Sequence, residues 1–237
     1  MEIARAAAAL FVQQGLRATR AEDIAQAAGI APRTFYRYFA TKEEAVAPLY
    51  AAGAQRWIEA VRTAPADLSV PQALEHAIRH TLTPGLGVSA ASWEWLRTLI
   101  RLADTSPALR KVWAEVCQAS EGALSEILSA REKAPAENAP AESTPGEPTP
   151  AEPAPAEPAP AEPASAEPTP AELTPHLRFA AAVAGAAVRV AVESWAATTT
   201  RPTGPEGPAA LAVRNLRALR DFEWSTPENT REREPRE

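Results

Sequence analysis

In "GIAPRTFYRYFATKEEA", residues 29–45, three cations (Arg33, Arg37, Lys42) and four aromatic rings (Phe35, Tyr36, Tyr38, Phe39) crowd into ten positions. Pro32 suits the first turn of a helix, where its missing N–H is not needed. At about 100° per residue, Phe35 and Phe39 share one side, with Ile30 just upstream as a further apolar anchor. Arg33, Thr34, Arg37 and Tyr38 span the opposite side, and Tyr36 flanks them. An ordinary solvated face would account for the arginines but not for tyrosines placed outside the apolar stripe. A helix with this polar face, entered from a glycine turn, suits the DNA major groove. There arginine bonds guanine edges in bidentate fashion, while tyrosine hydroxyls and Lys42 reach phosphates.

Upstream, Ile3, Ala7, Leu10 and Phe11 recur at helical spacing until Gly15, which is placed to end that helix. "TRAEDIAQAAG" follows, with Thr19 and Glu22 at capping-box spacing and an inner face of Ile24, Ala25 and Ala28 before Gly29. Thr41 and Glu44 form another such pair and are expected to start a long fourth helix. Pro48 then lies inside that helix and should kink it by forfeiting the bond to the Glu44 carbonyl. Three short helices with glycine between the second and third make a helix-turn-helix. No strand-like alternation of useful length occurs, so the expected fold is all-α.

"AAALFVQQGLRATRAEDIAQAAGIAPRTFYRYFATKEEAV" resembles the DNA-binding domain of TetR-family transcriptional regulators. The resemblance runs without a gap over roughly residues 3 to 47. It rests on the "F..QG" end of the first helix, "DIA..AG" in the second, "TFYRYF" in the third and "TKEE" opening the fourth. It implies a homodimer on an inverted-repeat, double-stranded operator, with each third helix in a major groove, usually repressing. It also implies a helical C-terminal domain that binds a small-molecule inducer. Carried over by position, the DNA-facing residues are Arg20, Ala31, Pro32, Arg33, Thr34, Tyr36, Arg37, Tyr38 and Lys42. Relatives often place Ser or Thr where this chain has Arg20 and Ala31. Arg20 can exchange a hydroxyl-phosphate bond for an ionic one, whereas Ala31 only loses one. Many relatives also carry a basic arm ahead of the first helix. Either that contact is lacking here or the true start lies upstream of Met1.

Later segments carry readable caps, Ser69 with Gln72 and Ser106 before Pro107. "LIRLADTSPALRKVW" and "AAVAGAAVRVAVESW" are similar to family members with acyl-CoA-like ligand-binding domains, over roughly 70–130 and 174–222. That similarity implies a large, mainly apolar effector, for which Trp93, Trp95, Trp113 and Trp195 are candidate contacts. Core or dimer packing is the competing role for these indoles. Arg97 and Arg101, one turn apart, could receive an acidic ligand group or simply pair with Glu94. The helix expected over 176–199 has Phe179, Val183, Ala186 and Val190 along one stripe. Leu211, Leu216, Leu219 and Phe222 mark a last helix. A small-residue helix followed by a leucine-lined one suits a two-fold dimer seam, or else both cover the chain's own core.

The chain has 237 residues and a formal net charge of -6. The acidity comes from one tract: residues 134–172 repeat a five-residue Pro/Ala/Glu unit with eight glutamates and no cation, and without them the charge would be +2. Proline at this density blocks helix and sheet, so a disordered spacer is expected. In polyproline geometry a period of five turns each glutamate by about 240°, which builds no single acidic face. Domains are therefore expected at 1–45 (helix-turn-helix), 46–133 (first part of the effector domain), 134–172 (the insert), 173–224 (effector and dimerisation helices) and 225–237 (a disordered tail).

A lone Cys117 excludes an internal disulfide framework and fits a reducing compartment. No charged leader precedes an apolar core, and the run Phe179–Val188 is too short to span a bilayer, so a cytoplasmic protein without membrane contact is expected. His76 and His80, four apart, could hold zinc with help from Cys117 or Glu75, but the pattern is that of an ordinary amphipathic helix. "GLG" at 85–87 lacks the strand and third glycine of a phosphate loop, and no nucleophile motif occurs. The chain is thus expected to be no enzyme, with no cofactor and no metal. The alternative to a ligand-responsive regulator is a constitutive DNA-binding scaffold whose acidic tract contacts partners.

Overall fold

The structure is a computed structural model and describes residues 1–85, 90–137, 175–222 and 224. The acidic repeat beyond Glu137 and the C-terminal tail lie outside the described residues, so the expectations placed on them are not addressed by it. Among the described residues the architecture is all-helical. The elements are α1 (Glu2–Gln14), α2 (Ala21–Ala27), α3 (Pro32–Tyr38), a 3₁₀ turn (Glu44–Val46), α4 (Ala47–Arg62), α5 (Val70–Leu82), α6 (Ala90–Thr105), α7 (Pro107–Glu137), α8 (Pro175–Ala196) and α9 (Pro208–Ala218).

Two apolar cores organise these helices. The first gathers Ala7, Ala8 and Phe11 of α1, Ile24 and Ala25 of α2, Phe35 of α3 and Tyr50 of α4. Leu99 and Ala103 of α6 and Leu109 and Val112 of α7 close it from the other side. The second lies among α4 to α9 and is built around Trp57, Ile58, Leu74, Ile78, Leu124, Leu128 and Trp195. Helix α4 contributes to both, Tyr50 to the first and Trp57 to Val61 to the second. Helices α6 and α7 also reach both cores, so α4, which follows the head directly in sequence, is one of three helices joining the head to the body.

The helix ends depart from the sequence expectations in physically clear ways. The fourth helix starts at Ala47, not Thr41, and Pro48 occupies its first turn. The Glu44 carbonyl that Pro48 cannot bond receives the Ala47 N–H in the 3₁₀ turn, so the chain restarts its helix there instead of kinking one already under way. The Thr41 hydroxyl accepts the Glu44 N–H at 3.3 Å, while the Glu44 carboxylate takes the Ala40 N–H at 2.9 Å, one residue earlier than a capping box requires. At α2 the N-cap is Arg20, not Thr19, and its N–H is taken by the Asp23 carboxylate at 2.8 Å. Helix α7 continues to Glu137, past the start expected for the Pro-rich tract.

Helix α8 ends at Ala196, short of residue 199, because three threonines follow. The Thr198 hydroxyl donates to the Trp195 carbonyl at 2.8 Å and accepts the Thr200 N–H at 3.2 Å, which replaces the next helical turn. Helix α9 ends at Ala218, and Leu219 and Phe222 lie in the turns beyond it, still packed on the body's core. By length and composition the 22 residues of α8 could cross a membrane. Its face of Ala180, Ala181, Ala184, Ala187, Ala191 and Trp195 is instead buried in the body.

Candidate nucleic-acid and effector sites

The turn between α2 and α3 is fixed by a glycine-dependent cap. Gly29 has φ 69°, in the left-handed region where a side chain is strained. Its N–H donates to the Gln26 carbonyl at 3.0 Å, and the Ile30 N–H reaches back to the Ala25 carbonyl at 2.9 Å. These two bonds are the Schellman pattern, which satisfies the last carbonyls of α2 and turns the chain into α3. Pro32 is the first residue of α3, and Ala31 ahead of it offers no side-chain oxygen as a cap.

Helix α3 is pinned by Phe35, which is fully buried and meets Phe39 at 5.5 Å between ring centroids. On the other side Arg33, Tyr36, Arg37 and Tyr38 are exposed and Thr34 half-buried. The Arg37 guanidinium lies over the Tyr38 ring at 5.1 Å and donates to its hydroxyl at 3.3 Å. The Tyr36 hydroxyl donates to Glu22 of α2 at 3.3 Å, and Glu22 also pairs with Arg20 at 3.5 Å. Ala31, Pro32, Arg33, Arg37, Tyr38 and Arg20 are thus surface groups around one exposed helix face.

Lys42 is placed differently. Its ammonium is partly buried and donates to the carbonyls of Leu16 and Thr19, each at 2.7 Å. Thr19, fully buried, supports the same connection by donating to the Gly15 carbonyl at 2.9 Å and accepting from the Gln14 amide at 3.2 Å. Lys42 therefore stitches the segment after α3 to the segment between α1 and α2. Sequence reasoning assigned it a phosphate and did not foresee this bond pair, which depends on residues more than twenty positions away.

In the body, a cavity of about 600 Å³ is walled by α4 to α8, with Arg5 of α1 at its edge. Trp93, Trp95 and Trp113 line it, together with Tyr50, Trp57 and Leu99. Trp195 does not. It is buried beside Trp93 at 5.4 Å, and its indole N–H is shared by the carbonyls of Thr200 and Arg201 at 3.2 and 3.3 Å. Arg97 stacks on the Trp195 ring at 4.3 Å, donates to the Thr200 carbonyl and lies 3.8 Å from Glu94. Arg101 donates to the Ala197 carbonyl at 3.4 Å. These two arginines thus tie α6 to the end of α8, away from the cavity lining.

The far wall, between α7 and α8, is polar. The Trp113 N–H donates to Glu193 at 2.7 Å, and the other Glu193 oxygen pairs with Arg189 at 3.3 Å. Cys117 and Glu121 follow Trp113 at successive four-residue steps along α7, and both line the cavity. Burial pushes the Cys117 thiol up to about 12, opposed by Arg189 and reinforced by Glu193 and Glu121, so it stays protonated and is no thiolate nucleophile at neutral pH. Burial, with a smaller push from Cys117, likewise raises the Tyr50 phenol, whose hydroxyl donates to the Leu99 carbonyl at 3.2 Å. Sequence reasoning missed Tyr50, Cys117, Glu121 and Arg189. The four-residue spacing from Trp113 to Glu121 was the available signal for two of them. The exposed His76 and His80 stay apart from this wall, and Glu75 is engaged by Arg79 and Arg217 at 2.6 and 2.7 Å.

Residues 3–47 match the family described as "Bacterial regulatory proteins, tetR family". TcmR, an HTH-type transcriptional regulator of Streptomyces glaucescens, is 32% identical over 136 residues, 55% of this chain and 59% of that protein. KstR2, an HTH-type transcriptional repressor of Mycobacterium tuberculosis, is 51% identical over 45 residues, 19% of this chain and 22% of that one. The matches thus span 59% and 22% of the two relatives' own lengths. Among solved structures, Thermus thermophilus FadR, a TetR-family repressor in complex with lauroyl-CoA, covers 92% of this chain and 91% of its own at 19% identity and a TM-score of 0.52. A transcriptional regulator from Rhodococcus sp. Rha1 gives a TM-score of 0.50 at 15% identity, covering 95% of this chain and 98% of its own. At these identities the structural likeness is one of fold. Residues 3–47 are thus those of a TetR-family regulatory domain, and the helical body behind them shares the fold of these solved structures.

Proposed function

We propose that this protein is a homodimeric, ligand-responsive repressor that acts in the cytoplasm on an inverted-repeat DNA operator. A mainly apolar small molecule releases it. The observation that carries the reading is the course of α4. Leu49, Tyr50, Gly53 and Trp57 of this helix wall the 600 Å³ cavity. The same helix follows α3 after residues 39–46, the last three of them the 3₁₀ turn, and its Tyr50 packs into the head's core. A molecule filling the cavity presses on the element that sets where α3 sits. Its differential contact with two positions of α4 would supply the coupling free energy that such a switch requires.

On the DNA side, Arg33 and Arg37 read base edges while Arg20, Thr34, Tyr36 and Tyr38 position the head on phosphates, with Ala31 and Pro32 close to the groove. On the partner side, Phe179 and Val190 of α8 are 60% and 44% exposed. They lie on one stripe with Val183 and Ala186, beside the buried alanine face, and Val183 is partly packed on the body's core. An apolar stripe of that kind is suited to a self-complementary two-fold contact.

Native mass spectrometry of the purified protein reports the dimer and any retained small molecule together. Fluorescence anisotropy against DNA flanking its coding region then reports operator binding with and without that molecule. A monomer that binds no such DNA would overturn the proposal. A dimer whose operator affinity ignores every molecule bound in the cavity would favour the constitutive scaffold instead.

A further inference from the structure

Glu121 stands out in the cavity because nothing in the fold uses it. It is the one carboxylate among the described residues lining the larger cavity, which is otherwise mostly apolar and aromatic. Its side chain is half-buried, and burial raises its carboxyl while Arg189 opposes that shift. Yet Arg189 gives its close ion pair to Glu193, at 3.3 Å, and Glu193's second oxygen is already held by Trp113. Among the described residues Glu121 makes no hydrogen bond and no ion pair. A partly buried carboxylate with no donor from the protein keeps its acceptor oxygens free for a molecule that enters the cavity.

The neighbouring helix is shaped around it. A Cβ on Gly185 of α8 would lie 3.1 Å from the Glu121 Cγ and 3.5 Å from its Oε1. Glycine at that position lets the carboxylate's stem pass against the α8 backbone. Behind the same wall a second cavity of about 450 Å³ shares Trp113, Cys117, Glu121 and Arg189 with the first. Glu121 thus stands on a partition with open space on both sides, two turns along α7 from Trp113, and shares the larger cavity with Tyr50, Trp93 and Trp95 of α4 and α6.

Resting on the ligand-responsive reading above, we propose that Glu121 is the specificity-determining residue of the effector site, accepting a hydrogen bond from a hydroxyl or N–H of a neutral, ring-containing effector. The aromatic walls supply stacking surface for a flat ring system. The carboxylate rejects any effector that presents only apolar atoms or a second negative charge at that point, because either leaves it desolvated and unpaired. Such a site differs from one for an acyl chain, whose methylene end brings no donor to the α7–α8 wall.

Three probes of nearly equal size test this by equilibrium dialysis with the full chain: 2-naphthol, 2-methoxynaphthalene and 2-naphthoate. The expected result is that 2-naphthol binds at least about ten-fold tighter than the other two, as a hydrogen bond to a charged acceptor should give. Glu121→Met keeps the stem and removes the acceptor, so it should level 2-naphthol with 2-methoxynaphthalene, and its melting curve checks that it still folds. Equal binding of 2-naphthol and its methyl ether by the wild-type chain overturns the proposal without needing the variant. So does a preference for 2-naphthoate, which would make Arg189 the selector, or a hydroxyl preference that survives in Glu121→Met. If none of the three binds, the effector cavity of the preceding subsection falls and this assignment falls with it. If the methyl ether binds as well as the naphthol, only Glu121's role is lost.

Discussion

Replacing Lys42 with methionine separates the structural role of this residue from a role at DNA. The substitution keeps the aliphatic stem and removes an ammonium that donates to Leu16 and Thr19, both at 2.7 Å. A net contribution of about 1.5–3 kcal/mol is usual for a hydrogen bond to a charged group. The two bonds here share one ammonium and one desolvation penalty, and the site is only partly buried, so their joint contribution should be about 2 kcal/mol. For a chain of this size each kcal/mol moves the melting temperature by about 2–4 °C, which predicts a fall of about 4–8 °C. Circular dichroism melting at fixed pH and salt measures it. The same loosening should weaken specific and nonspecific DNA binding together, because the loop that Lys42 holds carries Arg17 and Arg20 at its edge. A variant that melts within about 1 °C of wild type while losing DNA affinity would refute the reasoning and make the ammonium a direct phosphate ligand.

Arg37→Ala removes an exposed guanidinium that no buried group depends on, so its melting temperature should stay put while specific operator affinity falls by about 1–3 kcal/mol in an anisotropy titration. Val190→Arg places a charge on the exposed stripe of α8 and should shift native mass spectra from dimer to monomer without loss of helical signal. The Glu75 carboxyl is held below its usual range, first by the hydrogen bond from Arg217 and then by Arg79. A depressed carboxylate stabilises above its unfolded pKa, and the contribution is lost as pH falls through the lower folded value. Glu75→Gln should therefore lower the melting temperature at pH 7 by an amount worth under about 1 kcal/mol, given how exposed its arginine partners are, and the gap to wild type should close in acid. Replacing residues 138–172 by a short Gly/Ser linker should change specific operator affinity by less than about three-fold, since loop-closure entropy grows only logarithmically with length.

What could be read from the residues was local. The Gly29 turn, the Pro32 start and the Phe35 anchor each depend on neighbours within a few positions, and the all-helical fold followed from the same periodicities. The cavity in the body depends on five helices meeting, which no window of sequence contains. The four candidate tryptophans therefore looked alike, although Trp113 lines the cavity and Trp195 is capped by the carbonyls of Thr200 and Arg201. Arg97 and Arg101 lie off the cavity lining for the same reason: each donates to a carbonyl about a hundred positions away, just past the end of α8, and only the Arg97–Glu94 pair was within local reach. Pro48 shows the limit most clearly. Local chemistry correctly says that the Glu44 carbonyl loses a partner to proline, but it cannot say whether the chain bends or begins a new helix. The Ala47 N–H decides it by closing a 3₁₀ turn onto that carbonyl. The consequence for signalling is a joint placed ahead of α4, not within it. A 3₁₀ turn is held by fewer and poorer bonds than the α-helix that follows. Movement of α4 by an effector would then be taken up between Thr41 and Ala47, beside the Lys42 stitch. The head would turn as a unit, with α3 and its Phe35 anchor unchanged.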